Sequence, residues 1–370
     1  MNFDYNEEQQ LLADSVRRFI QKDYGFEARR KFVSSAEGYS DAVWGTFAEM
    51  GLTGIPFSPD HGGFGGGAVD LLSVMEAFGE GLVVEPFLAT LMGAQCVARA
   101  GSDAQKKAIL PAVVEGKLKL AFAFSEKGAR YDLAHVKATA KKSAGGWTLD
   151  GEKVVVLGAP AAAKLVVTAK APAGLSLFLV DAKAAKLKPY RTLDEMRAAD
   201  LVLSNAPGEL LGAEGKALPV IEAVVDFATA LVCAEAVGAM KYSCDATLEY
   251  LKTRKQFGVP IGTFQALQHR IVDMFVAYEQ AKSMAFLACS RADASADSPS
   301  DVAERMRAIS AAKIKIADNA RLVSQEAIQL HGGMGMSEEL KVSHSFRRLT
   351  MIAQQFGDAD HHLERFARAD

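Results

Sequence analysis

Two long runs with helical apolar periodicity, roughly 218–252 and 264–292, constrain this chain more than any other feature. Helices of that length need partners along their apolar faces, so they predict a bundle. Between them lie Thr253-Arg254-Lys255-Gln256-Phe257-Gly258-Val259-Pro260-Ile261-Gly262-Thr263-Phe264-Gln265. Most helix–helix connections of this length only link. This one is rich in groups that bind polyanions. Arg254 offers a planar fork of donors suited to phosphate. Gln256 and Gln265 offer amides, and Phe257 offers a flat apolar face. Gly258, Pro260 and Gly262 predict a sharp bend that holds those groups on one side.

Two further helical runs, 301–331 and 338–356, complete an expected antiparallel four-helix bundle over 213–370. Asp293 to Ser300 reads as a polar connection. Residues 1–118 are also helical in pattern. Asn6 caps a first helix with Gln9 three residues on, and Leu11, Leu12, Val16, Phe19 and Ile20 form its stripe. Trp44, Phe47 and Met50 mark a second helix that stops at Gly51. Runs 69–80, 86–100 and 103–115 follow, the last capped by Ser102. The glycine-rich stretch from Gly54 to Gly67 has two readings, a phosphate cradle or a structural surface loop. It does not follow a strand as a dinucleotide fingerprint does, and the structural reading is preferred.

At Leu118 the period changes. Leu120–Phe124, Val136–Ala140, Trp147–Leu149, Lys153–Leu157, Leu165–Ala169, Leu175–Val180 and Ala199–Leu203 alternate as short strands, with turn signals at Gly145-Gly146 and Asp150-Gly151. A small barrel or sandwich suits that spacing. The expected fold is therefore α+β and mostly α: an N-terminal helical domain (1–118), a middle β domain (119–212) and a C-terminal four-helix bundle (213–370).

Composition narrows the function. The net charge is −3, so bulk charge attracts neither nucleic acid nor an anionic membrane. Cys96, Cys233, Cys244 and Cys289 form no Cys-x-x-Cys pair and read as small core residues. The histidines show no metal spacing, and adjacent His361 and His362 point to different helix faces. Met1 to Glu8 lacks the basic start and apolar core of an export signal, and no apolar run is long enough to cross a bilayer. The expected location is the cytoplasm.

The stretch at 253–265 and a second segment, Gln329-Leu330-His331-Gly332-Gly333-Met334-Gly335, together resemble the acyl-CoA dehydrogenase family in order and spacing. The resemblance runs along essentially the whole chain. It implies that Arg254, Gln256, Phe257, Gln265, Gln329, Gly332 and Gly333 hold the diphosphate and adenine half of an FAD bound in a neighbouring subunit. The substrate it implies is an acyl-CoA.

The flavin-ring side resembles the family less. Its strand motif Tyr-x-Val-Thr-Glu-Pro-Gly-Ala-Gly-Ser-Asp corresponds to Phe122 through Asp132. Phe124 and Ser125 keep a ring contact and a hydroxyl, but Arg130 and Tyr131 replace Gly and Ser. Val155-Val156-Leu157-Gly158-Ala159 stands for Trp-Ile-Thr-Asn-Gly, without the aromatic wall or the hydroxyl. A different set of side chains binding the same ring is the other reading. The family's base is absent from both of its places, which fall on Phe356 and Ala228; neither takes a proton. Glu235 lies two turns from Ala228, about 10 Å away, and is expected to be paired in the bundle or at a subunit contact. Asp358 has two readings, a cap for the last helix or an unusual base.

The asymmetry implies a subunit that lends its nucleotide half-site to a base-bearing partner in a hetero-oligomer. The runs 356–363 and 252–258 resemble the pimeloyl-CoA dehydrogenase branch of the family. The alternatives are a self-sufficient homo-oligomer using Asp358, and a non-catalytic binding or scaffold protein of the same fold.

Overall fold

The structure, a computed structural model, describes residues 6–143, 146–294 and 298–368. Six helices come first: α1 (Glu7–Asp23), α2 (Phe26–Ser34), α3 (Asp41–Glu49), α4 (Ala68–Gly81), α5 (Phe87–Ala100) and α6 (Asp103–Val114). Seven strands follow: β1 (Leu120–Ala123), β2 (Thr139–Ser143), β3 (Gly146–Leu157), β4 (Lys164–Ala171), β5 (Gly174–Asp181), β6 (Ala185–Arg191) and β7 (Arg197–Leu211). Then come α7 (Leu218–Thr253), the short strands β8 (Lys255–Gln256) and β9 (Val259–Pro260), α8 (Gln265–Asp293), α9 (Pro299–His331), α10 (Lys341–Gln354) and α11 (Ala359–Ala367). Gly145 of one expected turn and residues 295–297 of the expected polar connection lie outside the described residues.

The chain forms two compact units. One comprises Met1–Arg30, Ala68–Val83 and Thr229–Asp370. It is helical, and the greater part of α7 is its axis. From Ala230 to Met240 every α7 residue is buried, because Ala, Val, Cys and Gly leave room for neighbours on all sides. Helix α4 crosses α7 at two glycines. A Cβ on Gly79 would run into the Glu235 carbonyl, and one on Gly238 would run into the Glu76 carbonyl. Helix α1 is capped as expected: the Asn6 side chain accepts from Gln9 N at 2.8 Å, and the Gln9 side chain accepts from Asn6 N at 3.0 Å. Its buried stripe is Ala13, Val16 and Ile20; Leu11 faces solvent.

The other unit comprises Lys31–Gly67 and Val84–Ala228. Strands β4, β2, β3, β7 and β5 pair in that order, and β5 pairs back to β4, which closes a barrel rather than a sandwich. Strand β1 lies beside β4, and β6 is an edge strand on β7. Trp147, Leu149, Leu165, Val167, Phe178 and Leu201 fill the interior. The glycine-rich loop is tied to itself by backbone hydrogen bonds. Gly65 N and Gly66 N donate to the Phe57 and Ile55 carbonyls, and a Cβ on Gly63 would collide with Phe57 O.

Several elements differ from the sequence expectation. Helix α2 and strand β6 are additions to it. The segments 147–149 and 153–157 are one strand, β3, interrupted by register shifts against β7. Strand β2 begins at Thr139 instead of Val136, because the amides of Lys137 and Ala138 donate to the Glu126 carboxylate at 2.6 and 3.1 Å and are lost to pairing. Helix α10 begins at Lys341 instead of 338, after a turn in which Leu340 N donates to Ser337 O. All four cysteines are free and buried. No helix among the described residues is long and apolar enough to cross a membrane.

Candidate functional site

The turn after α7 is a tight hairpin. Lys255 pairs with Pro260 and Gln256 with Val259, which leaves Phe257 and Gly258 at the tip. Both are left-handed, with φ of 54° and 83°, as a two-residue turn of this kind requires. Gly258 accepts that freely; Phe257 does so under strain. Its ring is 91% exposed, so burial does not explain it. Arg254, Gln256 and Gln265 are exposed as well. The hairpin is anchored by Ile261 N donating to Arg254 O at 2.9 Å.

At the end of α9, Gln329 carries a carbonyl that accepts from Gly332 N. Gly332 is left-handed, and a Cβ on Gly332 or Gly333 would meet nothing within 4 Å. Backbone there is open to close approach. A guanidinium, side-chain amides, a bare aromatic face and open glycine backbone form a donor set that suits a nucleotide diphosphate.

Phe124 and Ser125 belong to the barrel unit and are half-buried. Val154 N donates to Ser125 O at 2.9 Å. Next to them in the chain is a group the sequence reading missed. Lys153 is fully buried and donates to Glu126 Oε1 and Thr168 Oγ1, each at 2.7 Å. Burial pushes the Lys153 pKa down to about 8, partly offset by Glu126. Burial pushes the Glu126 carboxyl up, but Lys153 and the Lys137 and Ala138 amides outweigh it, so the net shift is down. At neutral pH both are charged. Val155, two residues on from Lys153, is exposed and left-handed at φ 52°, its amide held by Asp200 at 3.1 Å.

Ala228 is fully buried in α7. Phe356 follows α10 with φ 62°, and Gly357 with φ 126°. Two buried side chains grip this bend. Lys313 Nζ donates to Gly357 O at 2.6 Å and to Ala353 O at 3.3 Å. His362 Nε2 donates to Phe356 O at 3.2 Å, and its Nδ1 faces the Ser310 hydroxyl at 3.3 Å. Burial, then the charges of Lys313 and Arg365, push the His362 pKa down to about 2, so its ring stays neutral. Asp358 caps α11, accepting from His361 N at 2.9 Å. Glu235 is paired inside the bundle, both of its oxygens bonded to Arg348. Seven non-glycine residues among those described have positive φ. Four of them, Arg130, Val155, Phe257 and Phe356, fall in the segments singled out from the sequence.

Three family profiles match in succession: the acyl-CoA dehydrogenase N-terminal domain over residues 6–117, the middle domain over 121–206 and the C-terminal domain over 216–369. An L-prolyl-[peptidyl-carrier protein] dehydrogenase of Serratia sp. (strain ATCC 39006) is 30% identical, over 92% of this chain and 90% of its own length. The solved structure of a variant of the Tcur3481-Tcur3483 steroid ACAD superposes with a TM-score of 0.88 at 29% identity, covering 98% of this chain and 97% of that one. The structure of PigA with FAD and proline superposes at 0.89 and 28% identity, covering 100% and 98%. The chain belongs to the acyl-CoA dehydrogenase family, whose members are flavin oxidoreductases acting on CH–CH bonds.

Proposed function

We propose that this chain is a subunit of an FAD-dependent acyl-CoA dehydrogenase and complements a second, base-bearing chain of the same family. The reaction is oxidation of an acyl-CoA thioester to the 2,3-enoyl-CoA. FAD, when bound, supplies the hydride acceptor. Arg254, Phe257, the amides of Gln256, Gln265 and Gln329, and the open backbone of Gly332 and Gly333 would together hold its diphosphate and adenine half. The base comes from the partner, because neither Phe356 nor Ala228 takes a proton. Asp358 is engaged as a cap.

One observation carries the reading. The strained Phe257 ring is 91% exposed, three residues from Arg254, which supports a clamp that faces outward, towards a ligand presented by another chain. Exposed apolar side chains on α8, Val272, Phe275 and Val276, support a subunit contact on this unit. The likeness to the Tcur3481-Tcur3483 steroid ACAD, whose name joins two designations, supports a mixed assembly. The finer assignment is the small subunit of a pimeloyl-CoA dehydrogenase, with the cytoplasm as location; dicarboxylyl, steroid side-chain and fatty acyl thioesters are the candidate substrates across the family. Expressed alone, the chain is expected to be colourless and inactive; co-expressed with a base-bearing family member, it is expected in a yellow, active oligomer. A yellow, active protein from this chain alone defeats the proposal.

A further inference from the structure

The two segments of the proposed nucleotide clamp are far apart in sequence, yet the helices that carry them touch close to both segments. The Tyr250 ring lies on the His331 imidazole, with centroids 4.4 Å apart and planes 30° from parallel. His331 is the last residue of α9 and precedes Gly332-Gly333. It is buried, and its Nδ1 donates to Ala327 O at 2.7 Å, so that nitrogen carries the proton. Burial pushes its pKa down, which keeps the ring neutral. Tyr250 stands one turn before Arg254. Its carbonyl accepts from Arg254 N at 2.8 Å and from the Thr253 hydroxyl at 3.3 Å.

Helices α7 and α9 both end here, and a helix C-terminus carries partial negative charge. That charge opposes an anion. Binding therefore depends on Arg254 and the glycine backbone being held at a set spacing. We propose that Tyr250 and His331 are positioning residues of the nucleotide half-site, their stacked rings fixing Arg254 relative to the Gly332-Gly333 turn. The inference rests on the half-site reading above. A positively charged residue at 331 would aid the anion directly. A neutral stacked ring acts only by placing its neighbours.

The test is ADP binding to the purified full-length chain, followed by calorimetry, alongside the thermal midpoint. Tyr250→Leu and His331→Leu are expected to weaken ADP by about three- to tenfold, the range of an aromatic pair. Tyr250→Phe and His331→Phe keep a ring in each place and are expected to retain affinity. Leucine variants that bind like the parent overturn the positioning role. So do phenylalanine variants that lose affinity, which keeps the test open if a leucine variant fails to fold. Arg254→Ala separates the two ideas. If it binds ADP like the parent, or if the parent binds none, the half-site reading falls and the inference with it. If Arg254→Ala loses ADP while the leucine variants do not, only the positioning role falls.

Discussion

Arg348 grips both oxygens of Glu235, Nε to Oε1 at 2.5 Å and Nη2 to Oε2 at 2.6 Å, with both side chains nearly free of solvent. The pair joins α10 to α7 in the interior of the helical unit. Removing one partner strands a buried charge. Glu235→Ala is expected to cost about 3–5 kcal/mol, and the double replacement of Glu235 and Arg348 by Met much less. Urea unfolding of the single and double variants checks this. A single variant as stable as the parent contradicts it.

The glycine crossing of α4 and α7 predicts a contrast. Gly79→Ala and Gly238→Ala force a methyl into a carbonyl and are expected to destabilise by at least about 1–3 kcal/mol. Gly45, inside α3, has open space where a Cβ would stand. Gly45→Ala is expected to stabilise by about 0.5–1 kcal/mol, since alanine loses less chain entropy in a helix. Thermal melts of the three variants compare them directly.

Acid should weaken the fold through His362. Its pKa falls from 6.5 in the unfolded chain to about 2 in the folded one. Below pH 6.5 the unfolded chain takes a proton that the folded chain refuses. The associated stability is complete above pH 6.5 and declines as pH drops towards 2. At pH 5 the loss is about 2 kcal/mol relative to pH 7.5. Burial also pushes His331 and His361 down, which adds in the same direction. Lys313, Arg365, His361 and Ser310 face the ring. His362→Gln is expected to flatten the pH dependence of the urea midpoint between 7.5 and 5. An unchanged slope would remove His362 as the cause.

Phe257 should matter for assembly and not for the fold of the chain. Its ring is exposed, so Phe257→Ser is expected to change the stability of the isolated chain by less than about 0.5 kcal/mol. The same change is expected to lower the flavin content of the co-expressed oligomer. Visible absorbance against protein concentration measures that. A large drop in the isolated chain's melting point would assign Phe257 to folding instead.

The long helices α7, α8 and α9 are legible because their apolar periodicity runs for many turns. Helix α2 is not: Phe26-Glu-Ala-Arg-Arg-Lys-Phe-Val-Ser is short, and four of its nine residues are charged. Strand β6, Ala185-Lys-Leu-Lys-Pro-Tyr-Arg, hides behind its charges and its proline, both of which suit an edge strand. The residues proposed to form the clamp can be singled out because each stands in a compact run. What holds them cannot. The Tyr250–His331 stack, the Lys153–Glu126–Thr168 group and the grip of Lys313 and His362 on residues 356–357 all join residues distant in sequence, and no local pattern announces them.

At the Phe356–Gly357 bend, Lys313 and His362 bond to backbone carbonyls, and nothing in that grip depends on which side chain residue 356 bears. The two bonds hold the backbone of the bend through its carbonyls. On the proposed reading, in which position 356 is the place of the lost base, an exchange there can restore an acid while Lys313 and His362 go on holding the backbone.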